Sequence, residues 1–568
     1  MIPQKERGSN QLLKGLVQSH LFTIIALILL SLFGTLFSLA TPLILGRLID
    51  SVLIGKDTSL LVPIILGMSG LFLFSALSGY LSNIIRGRLN LVLFKELAHD
   101  LFGAVQEASL SDLQNIKTGD LLTRTIGNTY AAVSTVTSII PQIVVTIVGF
   151  ILPFTIMFSL NPNLALIICC PIVLFIISSV YYGNKVKTYQ RDSLNSAACM
   201  NSFLKETYSI VPLTKVFVLE QWVCDKFDGY LEKYTAASLD VVRVSSMSSA
   251  VGMVIYGIPT LLVLVFGSME VISGLMSLGT FTAFMGYIGL FYSPIQLLSM
   301  YWTTYKSSQA SFDRIGEVFS LKMELWGKNA LPTPVENIEF HSVCFSYGPR
   351  AVLKDFSATF VQGRNYLIGD NGSGKSTLIR LLCGLYRPDK GSIIIDGRDL
   401  ASLSRESLRK SVSVVFADAL VFDGTIYENI LIGNLSASRE DVEHAAKKAE
   451  LDEFIMRLPK KYETGVGESG LNLSSGEKQK IALARVILRD SPVIIFDEFT
   501  RSVDIESKKS IFSVIRKMND KIIIIITHDM SDIGDNGRIL VLERERTTSL
   551  QDPFTISSVT KSQAVPGG

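Results

Sequence analysis

The order of apolar and polar residues divides this chain into two unlike halves. Six apolar runs lie near 22–46, 60–84, 137–160, 164–183, 248–269 and 279–303, and none contains Asp, Glu, Lys or Arg. Crossing the hydrocarbon core of a bilayer as a helix takes about 20 mostly apolar residues, so the pattern predicts six membrane helices. The gaps between them alternate. Those after the first, third and fifth runs are short, whereas those near 85–136 and 184–247 are long and basic, carrying Arg86, Arg88, Lys95, Arg124, Lys185, Lys187, Arg191, Lys205, Lys215 and Lys226. In the first long gap Leu91, Phe94, Leu97, Ala98 and Leu101 recur at helical spacing, so both gaps read as helical extensions beyond the membrane. Basic residues at membrane ends favour the cytoplasmic side. That places the polar lead-in 1–20, both long gaps and everything after the sixth run in the cytoplasm.

The pattern changes near Trp326–Pro334, where Gly327, Pro332 and Pro334 mark a linker, 321–334. From Val335 short β-like runs alternate with helical segments, the order of an α/β domain. The expected fold class is therefore a membrane α-helical domain over 21–320, followed by an α/β domain over 335–548. The polar end, 549–568, is expected to be without structure.

Composition agrees with this division. Over 568 residues, 48% hydrophobic, 18% charged and a mean hydropathy of +0.38 exclude an ordinary soluble protein. A net charge of +2 gives no case for nucleic acid as a partner. The six cysteines include no C-x-x-C pair, which points to reduced thiols rather than to zinc or a disulfide framework. Uncharged membrane runs favour an apolar or amphipathic cargo over a small ion. In the sixth run Phe281, Phe284, Tyr287 and Phe291 share a face. Packing against neighbouring helices is the expected use of that face, and a cargo path is the alternative.

The chemistry lies in the second half. Gly369-Asp370-Asn371-Gly372-Ser373-Gly374-Lys375-Ser376 fits G-x-x-x-x-G-K-[ST], with the strand candidate Tyr366–Ile368 before it and the helix candidate Thr377–Leu385 after it. Its glycines let backbone N–H groups turn inward on an anion. Lys375 directs a charge at the β- and γ-phosphates of a nucleotide, ATP or GTP, and the Ser376 hydroxyl suits Mg²⁺, which makes 335–548 an α/β P-loop domain. The buried-strand run Val493–Phe496 ends in Asp497-Glu498, where one carboxylate can hold Mg²⁺ and the next can orient the attacking water. A second such strand, Ile522–Ile526, leads to Thr527-His528, making His528 a γ-phosphate sensor candidate. Leu473-Ser474-Ser475-Gly476-Glu477 opens another helix, a second anion site. One chain does not easily present both sites to one phosphate, whereas two copies do.

From about residue 15 to 545 these motifs resemble the ABC exporter half-transporters. Gly369–Thr377 resembles the family's P-loop, Leu473–Glu477 its signature, Val493–Glu498 its Walker B strand with the catalytic glutamate, His528 its switch histidine and Tyr347 its adenine-stacking aromatic. Gly119-Asp120-Leu121-Leu122-Thr123-Arg124 and Ala310–Arg314 resemble further family stretches. The resemblance implies ATP and Mg²⁺ as cofactors and a second half-transporter chain, like or unlike, as partner. It implies a multi-pass location in a bacterial-type cytoplasmic membrane, and helix extensions around 110–121 and 195–207 that carry motion. It implies export of a small peptide, drug-like or other amphipathic substrate; a lipid or lipid-linked glycan flippase, or the weaker half of a heterodimer, is the alternative. Four features depart from the family: Ala417 stands where a glutamine is usual, Ser475 where a glycine is usual, Arg501-Ser502-Val503-Asp504 replaces Ser-Ala-Leu-Asp, and the tail after Glu543 lacks the usual glycine-containing turn and closing helix.

Overall fold

The computed structural model describes residues 9–114, 116–332, 334–370, 372–467, 470, 472–499, 505–518, 520–528, 533, 537–544 and 554–558. Asn371 and the Arg501–Asp504 stretch lie outside these residues. The chain forms two units, one of Met1–Val105 with Lys117–Ser320, the other of Gln106–Ile116 with Leu321–Gly568.

The first unit is helical. A helix at Ser9–Ser19 precedes six apolar spans: Leu21–Ile54, Thr58–Glu107, Thr118–Leu160, Pro162–Ser209, Glu220–Ile272 and Leu278–Phe319, numbered 1 to 6 below. The α-helices Leu61–Glu107 and Pro162–Ser209 have 47 and 48 residues. At about 1.5 Å per residue each is near 70 Å long, more than twice the hydrocarbon thickness, so the long basic gaps are continuations of spans 2 and 4. The 195–207 segment lies inside the second of these helices, and a turn follows it, where Val216, Phe217 and Val218 are exposed.

The aromatic face of span 6 is core. Phe284, Tyr287, Phe291 and Tyr292 are at most 2% exposed and pack with Leu39, Met157 and Ile168. Phe291 stacks on Phe150 at 4.8 Å. The Tyr292 hydroxyl donates to the Ile168 carbonyl (2.5 Å) and that of Tyr287 to the Leu39 carbonyl, so neither phenol is buried without a partner. The packing reading of this face therefore holds. At one end of the unit Asp50 caps span 6, accepting from Gly279 N (2.7 Å) and Ser277 Oγ (2.5 Å). At the other, Arg124 joins Asp120 (2.9 Å) on its own helix to Glu317 (2.7 Å) on span 6.

The second unit is α/β. Strands β1 (Asn337–Tyr347), β2 (Arg350–Val361), β4 (Lys390–Ile395) and β5 (Arg398–Asp399) form an antiparallel sheet in the order β2-β1-β4-β5. A second sheet has the order β10-β9-β3-β8-β7-β6, from β3 (Gly363–Gly369), β6 (Val412–Val415), β7 (Val493–Asp497), β8 (Ile522–Ile526), β9 (Arg538–Arg544) and β10 (Phe554–Ser558). Its strands β3, β6, β7, β8 and β9 run parallel and β10 antiparallel. Strands covered on both faces carry unbroken apolar runs, as Val493–Phe496 and Ile522–Ile526 do. Val493, Ile495, Ile522 and Ile524 join one core, with Leu378, Leu381 and Leu382 of the helix Lys375–Leu382. Ile494, Phe496, Ile523 and Ile525 join the other, with Ile481, Leu483 and Val486 of the helix Ser475–Arg489.

Two boundaries differ from the sequence reading. Gln106–Ile116, expected within a continuous 21–320 domain, packs in the second unit. There Ser109 N donates to Lys322 O (2.7 Å) and Lys322 N to Asp112 Oδ2 (3.0 Å), and Leu110 packs on the first core. The expected linker 321–334 is likewise fastened: Gly327 N donates to Leu403 O (2.9 Å), and Arg409 lies 5.0 Å over the Trp326 ring and pairs with Glu324 (2.7 Å). The tail expected to lack structure contributes β10, because the run Phe554-Thr555-Ile556 supplies β-favouring residues that pair with Leu542–Arg544.

Candidate functional site

Strand register gathers the candidate residues. Leu367 of β3 lies level with Ile526 of β8, which lies level with Asp497 of β7. The loop after β3, the Asp497-Glu498 pair and Thr527-His528 therefore leave the sheet at one edge, the carboxyl ends of its parallel strands. This is where α/β sheets of this kind bind ligands.

The loop closes onto the helix Lys375–Leu382 through Gly374, whose φ of +102° suits glycine alone. A Cβ there would meet Leu353 Cδ2 at 2.9 Å. Gly372 is also left-handed, at +81°. Lys375 is 5% exposed and donates through Nζ to the carbonyls of Gly369 (2.7 Å) and Asp370 (2.9 Å). Burial lowers its pKa, against the pull of Glu498, Asp497 and Asp370. The Ser373 hydroxyl is buried with no hydrogen-bond partner, while Ser376 at the helix start is exposed and Thr377 is buried. A buried hydroxyl unpaired among the described residues, beside the Lys375 ammonium, is what a phosphate would satisfy.

Across the edge, burial and then the neighbouring Glu498 push the Asp497 carboxyl up to about 6. A half-buried carboxylate beside another suits a divalent cation, which would relieve both penalties. Glu498 has a left-handed φ of +43°, and its Oε1 lies 2.6 Å from His528 Nε2. Glutamate and histidine, 30 residues apart, thus meet at the mouth of the site. Tyr347, at the end of β1, accepts from Arg380 Nη1 (3.1 Å) and meets Tyr386 edge-on at 5.4 Å.

Ser474 caps the helix Ser475–Arg489. Its Oγ accepts from Glu477 N (3.3 Å), and Glu477 returns a bond to Ser474 N (2.7 Å), a reciprocal capping box. The cap uses the acceptor side of the hydroxyl and leaves its O–H free to donate. Ser474 and Ser475 are exposed, Gly476 is buried and Leu473 packs on the second core. Because this helix and Lys375–Leu382 cover opposite faces of the same sheet, the two anion sites of one chain are not brought together.

One residue escaped the sequence reading. Gln479 is 4% exposed, and its Nε2 donates to the carbonyls of Ala417 (2.6 Å) and Phe416 (3.1 Å). Arg485 holds the same loop further on, through Leu420 O (2.5 Å) and Asn429 Oδ1 (2.8 Å). The backbone around Ala417 is therefore fixed by side chains from the helix at 475–489, although Ala417 offers no side-chain oxygen and Asp418 is exposed. No sequence signal marked the pair, since residues six apart lie about 240° apart around a helix.

A P-loop nucleotide site on a parallel sheet, in a chain with six apolar spans, defines an ATP-dependent membrane transporter. Residues 24–295 match the ABC transporter transmembrane region and residues 353–501 match the ABC transporter family. A Bacillus subtilis protein named for multidrug export, YgaD, is 31% identical over 519 residues, 89% of each chain. The alpha-hemolysin translocation ATP-binding protein HlyB of Escherichia coli is 30% identical, over 91% of this chain and 74% of that one. The ATP-dependent lipid A-core flippase of Desulfotalea psychrophila is 29% identical, over 88% of each. A bacterial Atm1-family ABC exporter solved with ATP bound shares the fold, with TM-score 0.77 and 24% identity over 92% of this chain and 93% of that one. The chain belongs to the ABC transporter family: it is a multi-pass membrane protein whose ATP hydrolysis is coupled to transport.

Proposed function

We propose that two such chains, alike or different, clamp two ATP molecules and export an amphipathic substrate by alternating access. The observation that carries this reading is the placement of the two anion sites on opposite faces of one sheet. A phosphate seated at Gly369–Thr377 of one chain is completed by the helix start at Ser474 and Gly476 of the other, where Ser474 is exposed. In each composite site Tyr347 stacks on the adenine, the loop amides and Lys375 cradle the phosphates, and Glu498 orients water for in-line attack. His528 holds the Glu498 carboxylate and faces the γ-phosphate. Ser376 and Asp497 would hold Mg²⁺, which when bound supplies charge neutralisation on the phosphates. ATP drives the cycle only through its higher affinity for the closed pair. Gln106–Ile116, continuous with spans 2 and 3 but packed in the nucleotide-binding unit, is the segment suited to carry the motion. The nucleotide-binding unit then faces the cytoplasm.

The names of the relatives span drugs, a protein toxin and a lipid, so the chemistry they share is amphipathic. A second reading, the weaker half of a heterodimer, draws on Ala417 and Ser475, which depart from the family at the points nearest the γ-phosphate. The test is ATPase activity of the purified chain with Glu498→Gln alongside. The reading expects retained ATP binding, a turnover loss of about 10²–10⁴-fold, and a stable ATP-bound dimer. Near-normal turnover in Glu498→Gln would refute the assignment, and an inactive wild-type chain that is rescued by a second half-transporter selects the heterodimer.

A further inference from the structure

The membrane unit contains a cavity of about 400 Å³ between spans 1, 2, 3 and 6, within the size range of small-ligand sites. Its walls follow helical periodicity. Span 2 contributes Ser75, Ser78, Ser82 and Arg86 at intervals of three or four, with Asn83 beside Ser82, one stripe of the helix. The other spans add Ser31, Gln142 and Ser293 to the polar lining and Leu290 and Leu297 to the apolar one.

The balance of donors and charge in this lining is one-sided. Arg86 is the sole charged residue among those that line the cavity, and no carboxylate does. Its Nε is buried without a hydrogen-bond partner, and no ion pair engages its guanidinium among the described residues. Some hydroxyls are already committed: Ser78 to Leu30 O (2.6 Å), and Ser31 and Ser82 to each other (2.9 Å). Asn83, Gln142, Ser75 and Ser293 make no hydrogen bond within the described chain and keep their donors available. Successive spans run in opposite directions, so Arg86 and Asn83 near the end of span 2's apolar run lie level with the early part of span 1, as the Ser31–Ser82 bond requires, and with Gln142 near the start of span 3's apolar run. Arg86, Asn83 and Gln142 thus share one level of the cavity, and Val145, Leu39 and Leu290 supply apolar wall beyond it, interspersed with Ser38 and Ser75.

A cation at the end of span 2's apolar run, with one guanidinium nitrogen buried and unpaired, favours an anion as its partner. Resting on the reading of this chain as an exporter, we propose that the cavity is a cargo site selective for an anionic amphipath: a phosphate or carboxylate head at Arg86, Asn83 and Gln142, with an apolar chain running along Leu39, Val145 and Leu290. Arginine suits such a head because its fork of donors meets two oxygens at once.

Saturable binding to the full chain in phosphatidylcholine nanodiscs, without nucleotide, tests this with three probes of equal chain length: dodecyl phosphate, dodecanoate and dodecyltrimethylammonium. The expected result is binding of both anions at least about tenfold tighter than the cation, with Arg86→Gln weakening the anions by about tenfold or more and Arg86→Lys weakening them less. Gln142→Glu, which adds a carboxylate without removing the arginine, should lower anion binding and raise that of the cation. Repeating the titration with phosphatidylglycerol in the disc separates the sources: competition assigns the site to a lipid head, and no competition assigns it to a water-soluble anion. Equal binding of all three probes, or anion binding unmoved by both Arg86→Gln and Gln142→Glu, would overturn the proposal. Arg86-dependent binding without ATP-driven transport sinks the export reading alone; ATP-driven transport with Arg86-independent binding sinks this site alone.

Discussion

Asp497→Asn should stabilise the nucleotide-free protein, although it removes a residue assigned to the ATP site. Burial and Glu498 raise the Asp497 carboxyl from an ordinary value of 3.8 to about 6. A carboxyl whose folded pKa lies above its unfolded value binds its proton more tightly in the fold. Stability is then greatest below pH 4 and falls as pH rises through the window from about 4 to 6. Above pH 6 the whole difference is lost. At about 1.36 kcal/mol per pKa unit this cost is roughly 3 kcal/mol at pH 7.5, with about half present at pH 5. Asparagine keeps the shape and removes the charge, so the variant should gain about 1.5–3 kcal/mol at pH 7.5, or roughly 3–10 °C for a unit of this size. The assay is thermal unfolding of the second unit in the full-length protein, with EDTA and without nucleotide, at pH 5 and pH 7.5. The gain of the variant over wild type should grow between the two. Added Mg·ATP should reverse the order, because wild type then has a cation at Asp497 and the variant does not. A variant no more stable than wild type at pH 7.5, or a gain that shrinks as pH rises, would refute the reasoning.

Other outcomes follow from single contacts. Gly374→Ala places a Cβ 2.9 Å from Leu353 at a φ of +102°; nucleotide binding, measured with a fluorescent ATP analogue, should fall at least about tenfold from backbone strain of roughly 1–3 kcal/mol. Gln479→Ala removes both bonds to the Phe416 and Ala417 carbonyls; amide exchange in that loop should speed up, with a stability loss of about 1 kcal/mol. Ala417→Gln restores a side-chain oxygen near the γ-phosphate, and cargo-stimulated ATPase activity should rise relative to basal; unchanged stimulation would remove Ala417 as a cause of loose coupling.

Much of this molecule was legible as a linear pattern. Six uncharged runs each had to be a helix, because a bilayer core leaves backbone groups no other partner. The P-loop was readable because Gly372 and Gly374 are needed for their backbone angles and Lys375 for its charge, requirements met within one short stretch. What the pattern hid was long-range. Gln106–Ile116 belongs by sequence to the membrane half, and only its bonds to Lys322 assign it to the other unit. The β-propensity of Phe554–Ile556 was outweighed by polar neighbours until a partner strand at Leu542–Arg544 made pairing available.

The sequence by itself determined the six spans and the phosphate loop, and it supplied the candidate groups for the nucleotide site. Those depend on local propensity and on side-chain chemistry, which a short stretch carries within itself. Tertiary structure alone decided that Glu498 meets His528, that the loop at Gly369 and the helix at Ser475 lie on opposite faces of one sheet, and that Arg86 closes a cavity without a counter-charge. Each is a relation between residues far apart in the chain, set by strand register and helix packing, which no local pattern encodes.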